Sequence, residues 1–319
     1  MNEKLSVSVV MPTYNGEKNI IEQLETIRLQ TYPIKEVIMN DDGSTDNTVS
    51  IVKKYIEDNN LVNWKIIENE KNFGWRINFF RLLDMAHGDI IFTSDQDDIW
   101  YINKLERMSS IFQNPDVNVL VSDYDELVEP GGVSYPCSER IIKNVDSRGN
   151  VHFTKKNVYL NRPGWVYGLR RSFLPEVNLY KENAIVPVHD ITMWSTSVLS
   201  DSLYYINEAT GKWRKHGKSA IRGENAVDET KGCFDIRLSK LRRLKEVTQS
   251  DINYLNKTKK TIRNKKNKLE TLQKLINEYD KRIEIIEKAS ISKLITNLFS
   301  YTAIHPVLAD ILFLIKNRK

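Results

Sequence analysis

Over residues 1–130 the chain alternates short β-rich runs with amphipathic helical stretches, and three of the runs end directly in a polar cluster. The strand-like runs are Ser6–Met11, closed by Pro12, then Glu36–Met39, Trp64–Glu68, Asp89–Thr93 and Val117–Ser122. Between them lie helical spacings: Ile20, Leu24 and Ile27 within Asn19–Gln30, then Val49, Val52 and Ile56, then Phe79–Ala86. Strands alternating with helices call for an open, mostly parallel α/β sheet. In such sheets ligands bind outside the carboxyl ends of the strands. The clusters after the first, second and fourth strands (Pro12–Gly16, Asp41–Ser44 and Ser94–Asp98) are therefore expected to converge on one edge.

The remainder divides further. Residues 123–160 read as a loop-rich excursion containing Pro130-Gly131-Gly132. Order resumes at Gly164–Gly168, continues into a helix from His189 to about Leu199, and passes through a strand near Leu203–Ile206 to Trp213-Arg214-Lys215-His216-Gly217. From about residue 233 the composition turns helical, with Leu255, Ile262, Leu269, Ile276 and Ile283 recurring every seven residues and Leu272, Tyr279 and Ile286 filling the +3 positions. That period suits a helical hairpin or a short coiled coil. The expected division is an α/β domain over 1–225 and a basic helical region over 233–319.

Charge is unevenly spread. The overall net charge is +5, yet residues 237–274 hold thirteen Lys/Arg against three acidic residues, a net of +10 that leaves −5 on the rest. A basic arm on an acidic body suits an anionic partner. Little aromatic interleaving and no recognition motif argue against nucleic acid, which leaves an anionic membrane surface, where each Lys or Arg is worth about 1 kcal/mol. The apolar stretch from Ile304 to Ile315, interrupted by His305, Pro306 and Asp310, is too short to span a bilayer and suited to shallow insertion through Leu308, Ile311, Leu312, Phe313 and Ile315. Dimerisation through the heptads is the rival use of this region. Two cysteines far apart, Cys137 and Cys233, build neither a disulfide framework nor a zinc site, and the N-terminus lacks the pattern of a signal peptide. A cytoplasmic protein, peripheral on the inner face of the membrane, is the expectation.

The chemistry concentrates in Ser94-Asp95-Gln96-Asp97-Asp98. Three carboxylates within four residues repel one another unless a cation intervenes, and hard oxygen ligands suit Mg²⁺ or Mn²⁺ bound together with substrate phosphates. The same residues also suit a solvated acidic turn. Asp42 in Asp41-Asp42-Gly43-Ser44 can accept from a base N–H or a ribose hydroxyl, or cap the next helix. Tyr14 offers a face on which a base can stack. Arg76 suits a diphosphate or an exposed helix start. Asp190 can take a proton from a hydroxyl nucleophile or serve a helix N-terminus. His216, among Trp213, Arg214 and Lys215, can complete a metal shell while its cationic neighbours neutralise phosphate.

Taken in order, Val9–Asn15, Asn40–Asp46, Asn72-Phe73-Gly74, Ser94–Trp100, Gly164, His189-Asp190 and Trp213–Gly217 resemble the family-2 glycosyltransferases of the GT-A fold, over about residues 5–222. The Asp-Gln-Asp-Asp-Ile-Trp form looks most like bacterial rhamnosyl- and hexosyltransferases of cell-surface polysaccharide synthesis. The resemblance implies an open mixed sheet with helices on both faces. It implies that Pro12, Tyr14 and Asp42 hold the nucleotide base and that Asp95 approaches the ribose or donor sugar, and Arg76, after the third strand, joins them as a candidate for nucleotide-sugar binding. Asp97 and His216 would hold Mn²⁺ or Mg²⁺ on the diphosphate of a UDP- or dTDP-linked sugar. Asp190 would be the general base of an inverting transfer to a saccharide or lipid-linked acceptor. Trp165 and Trp194 are candidates for the acceptor pocket. The usual aromatic after the base is displaced in Asp190-Ile191-Thr192-Met193-Trp194, whereas Arg214-Lys215-His216 keeps the family's arginine-x-histidine spacing. Two other readings compete. One is a catalytically silent scaffold of a glycan-assembly complex. The other is a nucleotidyltransferase, which would want a glycine- and lysine-rich phosphate loop where only Gly16 stands.

Overall fold

The computed structural model describes residues 4–134, 142–159, 162–216, 232–289 and 304–316, together with Lys293, Thr296 and Tyr301. Cys137, Gly217 and the expected boundary near 225 lie outside the described residues. One mixed sheet of eight strands carries the molecule: β1 (Val7–Thr13), β2 (Glu36–Asp41), β3 (Trp64–Glu68), β4 (Ile90–Thr93), β5 (Ile99–Trp100), β6 (Val119–Val128), β7 (Tyr167–Arg170) and β8 (Leu203–Lys215), in the order β3-β2-β1-β4-β7-β6-β8-β5. The first four strands are parallel, as the alternating pattern requires. β7 enters antiparallel to both β4 and β6, which makes the sheet mixed.

The helices are α1 (Ile20–Arg28), α2 (Thr48–Asp58), α3 (Trp75–Met85), α4 (Lys104–Ile111), α5 (Leu174–Asn183) and α6 (His189–Leu199), followed by α7 (Cys233–Lys257), α8 (Lys265–Glu287) and α9 (Ile304–Lys316). Right-handed crossovers put α1 and α2 on one face and α3 on the other, where it packs across β1 and β2. Val9, Val10, Met11, Val37, Ile38, Met39, Ile91 and Phe92 are fully buried, as expected of strands covered on both faces.

Pro12 does not end β1, which runs on to Thr13. The Val10 carbonyl accepts from Ser94 N–H on the β4 side, and Pro12, two residues on, faces the same way. β4 pairs with β1 only as far as Val10, so the missing N–H of Pro12 faces no partner strand and costs nothing.

β8 is far longer than the expected Leu203–Ile206. Its pairing with β6 slips twice, at Ser122/Asp123 and at Asp123/Asp125, so β8 gains residues over its partner. Such bulges re-aim a strand. Here they bring the end of β8 against the two-residue β5, with Gly211 opposite Trp100. A Cβ on Gly211 would stand 2.3 Å from the Ile99 carbonyl oxygen, so only glycine allows that approach.

The heptad pattern closes a hairpin within the chain. α7 packs on α8, and Leu255, Leu272, Ile276, Tyr279 and Ile286 are buried, while Ile262 falls in the connection between the helices. The hairpin is no free arm, since α7 also packs on α5 and α6. Tyr180 donates to Asp251 at 2.8 Å, Tyr254 donates to Glu176 at 2.7 Å, and Lys268 donates to the Leu199 carbonyl and to Asp201. α9 is fastened by buried Asp310, which takes Arg237, Arg282 and Tyr301. Among the described residues no helix is long and apolar enough to cross a membrane.

Burial pushes the Asp251 carboxyl up to about 7, against hydrogen bonds from Tyr180 and Ser195 that favour its ionised form. A raised carboxyl stabilises the fold fully below its unfolded value of about 3.9, and that stabilisation is lost as pH rises through the folded value. The stability of the protein relative to its Asp251→Asn variant is therefore expected to fall between about pH 4 and pH 7, by at most about 1.4 kcal/mol per pH unit, and then to level off. Urea unfolding of both proteins at intervals from pH 5 to pH 8 measures this. Parallel curves would contradict it.

Candidate active site

The polar clusters after β1, β2 and β4 meet at one edge and are tied to one another. Asp41 is spent on the turn it opens, accepting from Thr13 Oγ1 at 2.9 Å, from the N–H groups of Gly43 and Ser44, and from the Ser44 hydroxyl. Asp42, also buried, accepts from the N–H groups of Phe73 and Gly74 at 2.8 Å each and from Asn69 Nδ2 at 3.0 Å. Its carboxylate thus fixes the loop leading into α3, and a further donor such as a base N–H has only the remaining lone pairs to use.

Tyr14 projects from the end of β1 and is 47% exposed, as a stacking surface must be. Its main chain is held by Gln96, whose amide oxygen accepts from Tyr14 N–H and whose amide nitrogen donates to the Tyr14 carbonyl, both at 2.9 Å. The middle residue of the acid cluster therefore positions the first loop. That role was not legible in the sequence, because nothing in the spacing of Gln96 and Tyr14 marks them as partners.

Asp95 and Asp98 carry the electrostatic strain of the cluster. Burial raises both carboxyls, and the neighbouring acids raise them further, Asp97 and Asp190 for Asp95 and Asp97 and Asp95 for Asp98. Asp98 accepts from Arg214 N–H at 2.8 Å through one oxygen, and its other oxygen is buried with no partner. Behind it, Lys104 is fully buried between the Trp100 and Trp165 rings, 4.8 and 4.7 Å from their centroids, and donates to the Trp165 carbonyl and Thr210. Burial pulls its ammonium down to about 7, with Asp98 opposing.

Asp97 meets His216, with Oδ2 and Nε2 2.8 Å apart. The pair is set by Arg214, whose guanidinium donates to the Asp97 carbonyl at 2.7 Å, to Glu129 at 2.7 Å, and to Glu22. The expectation that Arg214 neutralises a ligand phosphate is thereby corrected, because its donors are already engaged and it is 6% exposed. Lys215 lies over the Trp213 ring and acts on Asp98. Among the described residues no three His, Cys, Asp or Glu side chains are grouped so that they could hold a metal ion. Asp97 and His216 by themselves bring one carboxylate oxygen and one imidazole nitrogen together, and a divalent ion there would have to take most of its ligands from substrate phosphates and water.

Asp190 stands in the first turn of α6, 9% exposed, where a helix favours negative charge. Burial pushes its carboxyl up to about 6, while the Ile191 N–H, Arg243 and Arg76 pull the other way. Arg76 also lies over the Trp75 ring. Beside Asp190, His189 is stacked on Phe79 with centroids 3.7 Å apart, and burial holds it neutral, near 3. Gly164 makes room for it, since a Cβ there would stand 2.2 Å from His189 Nε2.

Two expected acceptor residues are corrected. Trp165 is 0% exposed and packed on Lys104 and Gly211. Trp194 is 2% exposed, and its indole N–H donates to the Asn157 carbonyl at 2.7 Å. Neither ring presents a face to a ligand. For Trp194, its displacement from the family pattern after Asp190 was the available signal.

The model of "Glycosyl transferase family 2" matches residues 8–174. Among curated proteins, glycosyltransferase GlyG of Streptococcus pneumoniae is 27% identical over 241 residues, which cover 68% of this chain and 73% of the relative. Among solved structures, S. aureus TarS 1-349 in complex with UDP-GlcNAc superposes with a TM-score of 0.60 at 19% identity, covering 87% of this chain and 72% of that one. The mannosyltransferase PcManGT of Pyrobaculum calidifontis, in complex with GDP-Man and Mn²⁺, gives 0.57 at 16% identity, covering 98% and 80%. At these identities the two structures establish a shared GT-A fold.

Removing the clamp tests the local energetics. Arg214→Ala leaves Glu22, Glu129 and the Asp97 carbonyl without their shared donor, and charged hydrogen bonds are worth about 1.5–3 kcal/mol each. A loss of about 3 kcal/mol in urea unfolding is expected, with Arg214→Lys recovering less than half because an ammonium cannot span three acceptors. A loss under about 1 kcal/mol would show that the clamp is not structural.

Proposed function

Because the chain belongs to glycosyl transferase family 2, we propose that it transfers a rhamnose or hexose unit from a nucleotide-diphosphate donor, UDP- or dTDP-linked, with inversion, to a saccharide or lipid-linked acceptor of cell-surface glycan assembly. The observation that carries this reading is that Asp97, paired with His216 after the ends of β4 and β8, and Asp190, from α6, both lie close enough to Asp95 to raise its carboxyl. In this reading a leaving-group site and a base share the neighbourhood of Asp95, where a sugar would lie. The nucleotide sugars held by TarS and PcManGT, and the Mn²⁺ in the latter, support the donor class and the metal.

In this reading Tyr14 and Pro12 wall the base, and Asp42 holds the loop opposite them. Arg76 serves the diphosphate, and Asp95 lies along the donor sugar. Asp97 and His216 hold Mn²⁺ or Mg²⁺, which when bound offsets the charge that develops on the leaving diphosphate. Asp190 accepts the proton of the acceptor hydroxyl as its oxygen bonds to the anomeric carbon. The bond to the donor phosphate oxygen breaks, its electrons stay on the diphosphate, and the configuration inverts because no enzyme nucleophile intervenes. Intact Asp97, Asp190 and His216 favour turnover over a silent scaffold. On α9, Leu308, Leu312 and Ile315 are exposed on one helical stripe beside Lys316, which supports a peripheral position on an anionic inner-leaflet surface. The heptad seam expected to serve a dimer is filled within the chain.

Only ionised Asp190 works as a base, so kcat/KM is expected to rise with pH through a half-point near 6 and then level off. Initial rates of transfer between pH 5 and pH 8 read this out. Asp190→Asn is expected to lose about a thousandfold, within the usual range for general-base removal. A profile flat from pH 5 to pH 7, or a variant within tenfold of the parent, would remove Asp190 from the mechanism.

A further inference from the structure

We infer that the face of α7 carrying Arg243 forms the acceptor side of the site, and that Arg243 selects an acceptor bearing a phosphate close to its reactive hydroxyl. This rests on the reading of Asp190 as the base. α7 packs on α5 and α6, and Val247 joins Val188 and Ile191, the residues that bracket His189-Asp190, with Trp75 and Tyr159 at the margin. Arg243 precedes Val247 by four residues and so lies on the same face, one turn away. That places it over the start of α6, at the mouth of the site, where it is exposed and acts electrostatically on Asp190.

Its neighbours on α7 are used differently. Arg237 pairs with Asp310, Arg242 with Glu287 and Lys245 with Asp280, all on α8 or α9. Arg243 has no such ion pair among the described residues, so its fork remains available to a ligand. In an inverting displacement the acceptor hydroxyl approaches from the side away from the leaving diphosphate. Asp97 and His216 mark the leaving side and Asp190 the attacking side, and Arg243 stands with Asp190. A neutral acceptor could take only single hydrogen bonds from that guanidinium, whereas a phosphate monoester or diester can take it bidentately and with opposite charge. The phosphate can belong to a polyol phosphate or to a sugar carried on a phosphate.

The test is direct binding, followed by ligand-observed NMR at low salt in the presence of UDP. The probes are ribitol 5-phosphate and glucose 1-phosphate, each against its unphosphorylated parent. The full chain is expected to bind at least one phosphate about tenfold more tightly than its parent. That preference should fall below threefold in Arg243→Gln and persist in Lys240→Gln, which removes an exposed cation of the same helix. The probe with the larger preference identifies the source of the phosphate. Equal binding of both phosphates and their parents, or a preference undiminished in Arg243→Gln, would overturn the inference. Nucleoside diphosphate release, measured separately, reports on the transferase reading, so the two failures are distinguishable.

Discussion

Three carboxylates within four residues at the end of β4 are a charge that the fold must offset. Two of them are held above their usual range by burial and by one another, and the structure around them is arranged against that repulsion. Lys104 is buried behind Asp98, the Arg214 N–H caps one Asp98 oxygen, and His216 faces Asp97. The second oxygen of Asp98 is buried without a protein partner, and burial holds this carboxyl well above its usual range, toward the protonated form. In the proposed reading a divalent cation shared with a substrate diphosphate would offset the charge of Asp97.

That arrangement depends on a long-range geometric device. β8 can reach the cluster only because two register slips turn it away from β6 and because Gly211 lets its backbone touch β5. Arg214 then fixes the turn through Glu22 and Glu129, contributed by α1 and by the chain just past β6. Residues more than a hundred positions apart become the two members of one pair. The hairpin α7–α8 adds the remaining wall. A basic region that reads in isolation as a charged arm packs on α6 and brings the Arg243 guanidinium within electrostatic reach of Asp190.

Much of this was legible before the structure. The parallel half of the sheet is written in the strand periodicity, with β3 matching its expected bounds, and the clusters after β1, β2 and β4 do meet. What was not legible follows from short or non-local causes. β5 is two residues long and has no period to detect. α4 and its capping residue carry Leu105, Met108 and Phe112 at helical spacing, a signal overshadowed by the acid cluster before it. α5 buries only Val177 and Tyr180, too few for an apolar face to stand out. The partnership of Gln96 with the Tyr14 main chain and the sandwiching of Lys104 are tertiary facts with no local signature. Trp165 and Trp194 were misjudged because a tryptophan near a motif looks the same in sequence whether it lines a pocket or fills the core.

The central claim is that this edge is a working, cation-assisted donor site. The measurement that tests it most directly is release of nucleoside diphosphate from a panel of UDP-, dTDP- and GDP-sugars, with Mn²⁺ or Mg²⁺, with chelator, and with Asp97→Ala. The account predicts slow release from one donor that is abolished both by chelator and by the substitution. Release that is indifferent to chelator and to Asp97 would contradict it.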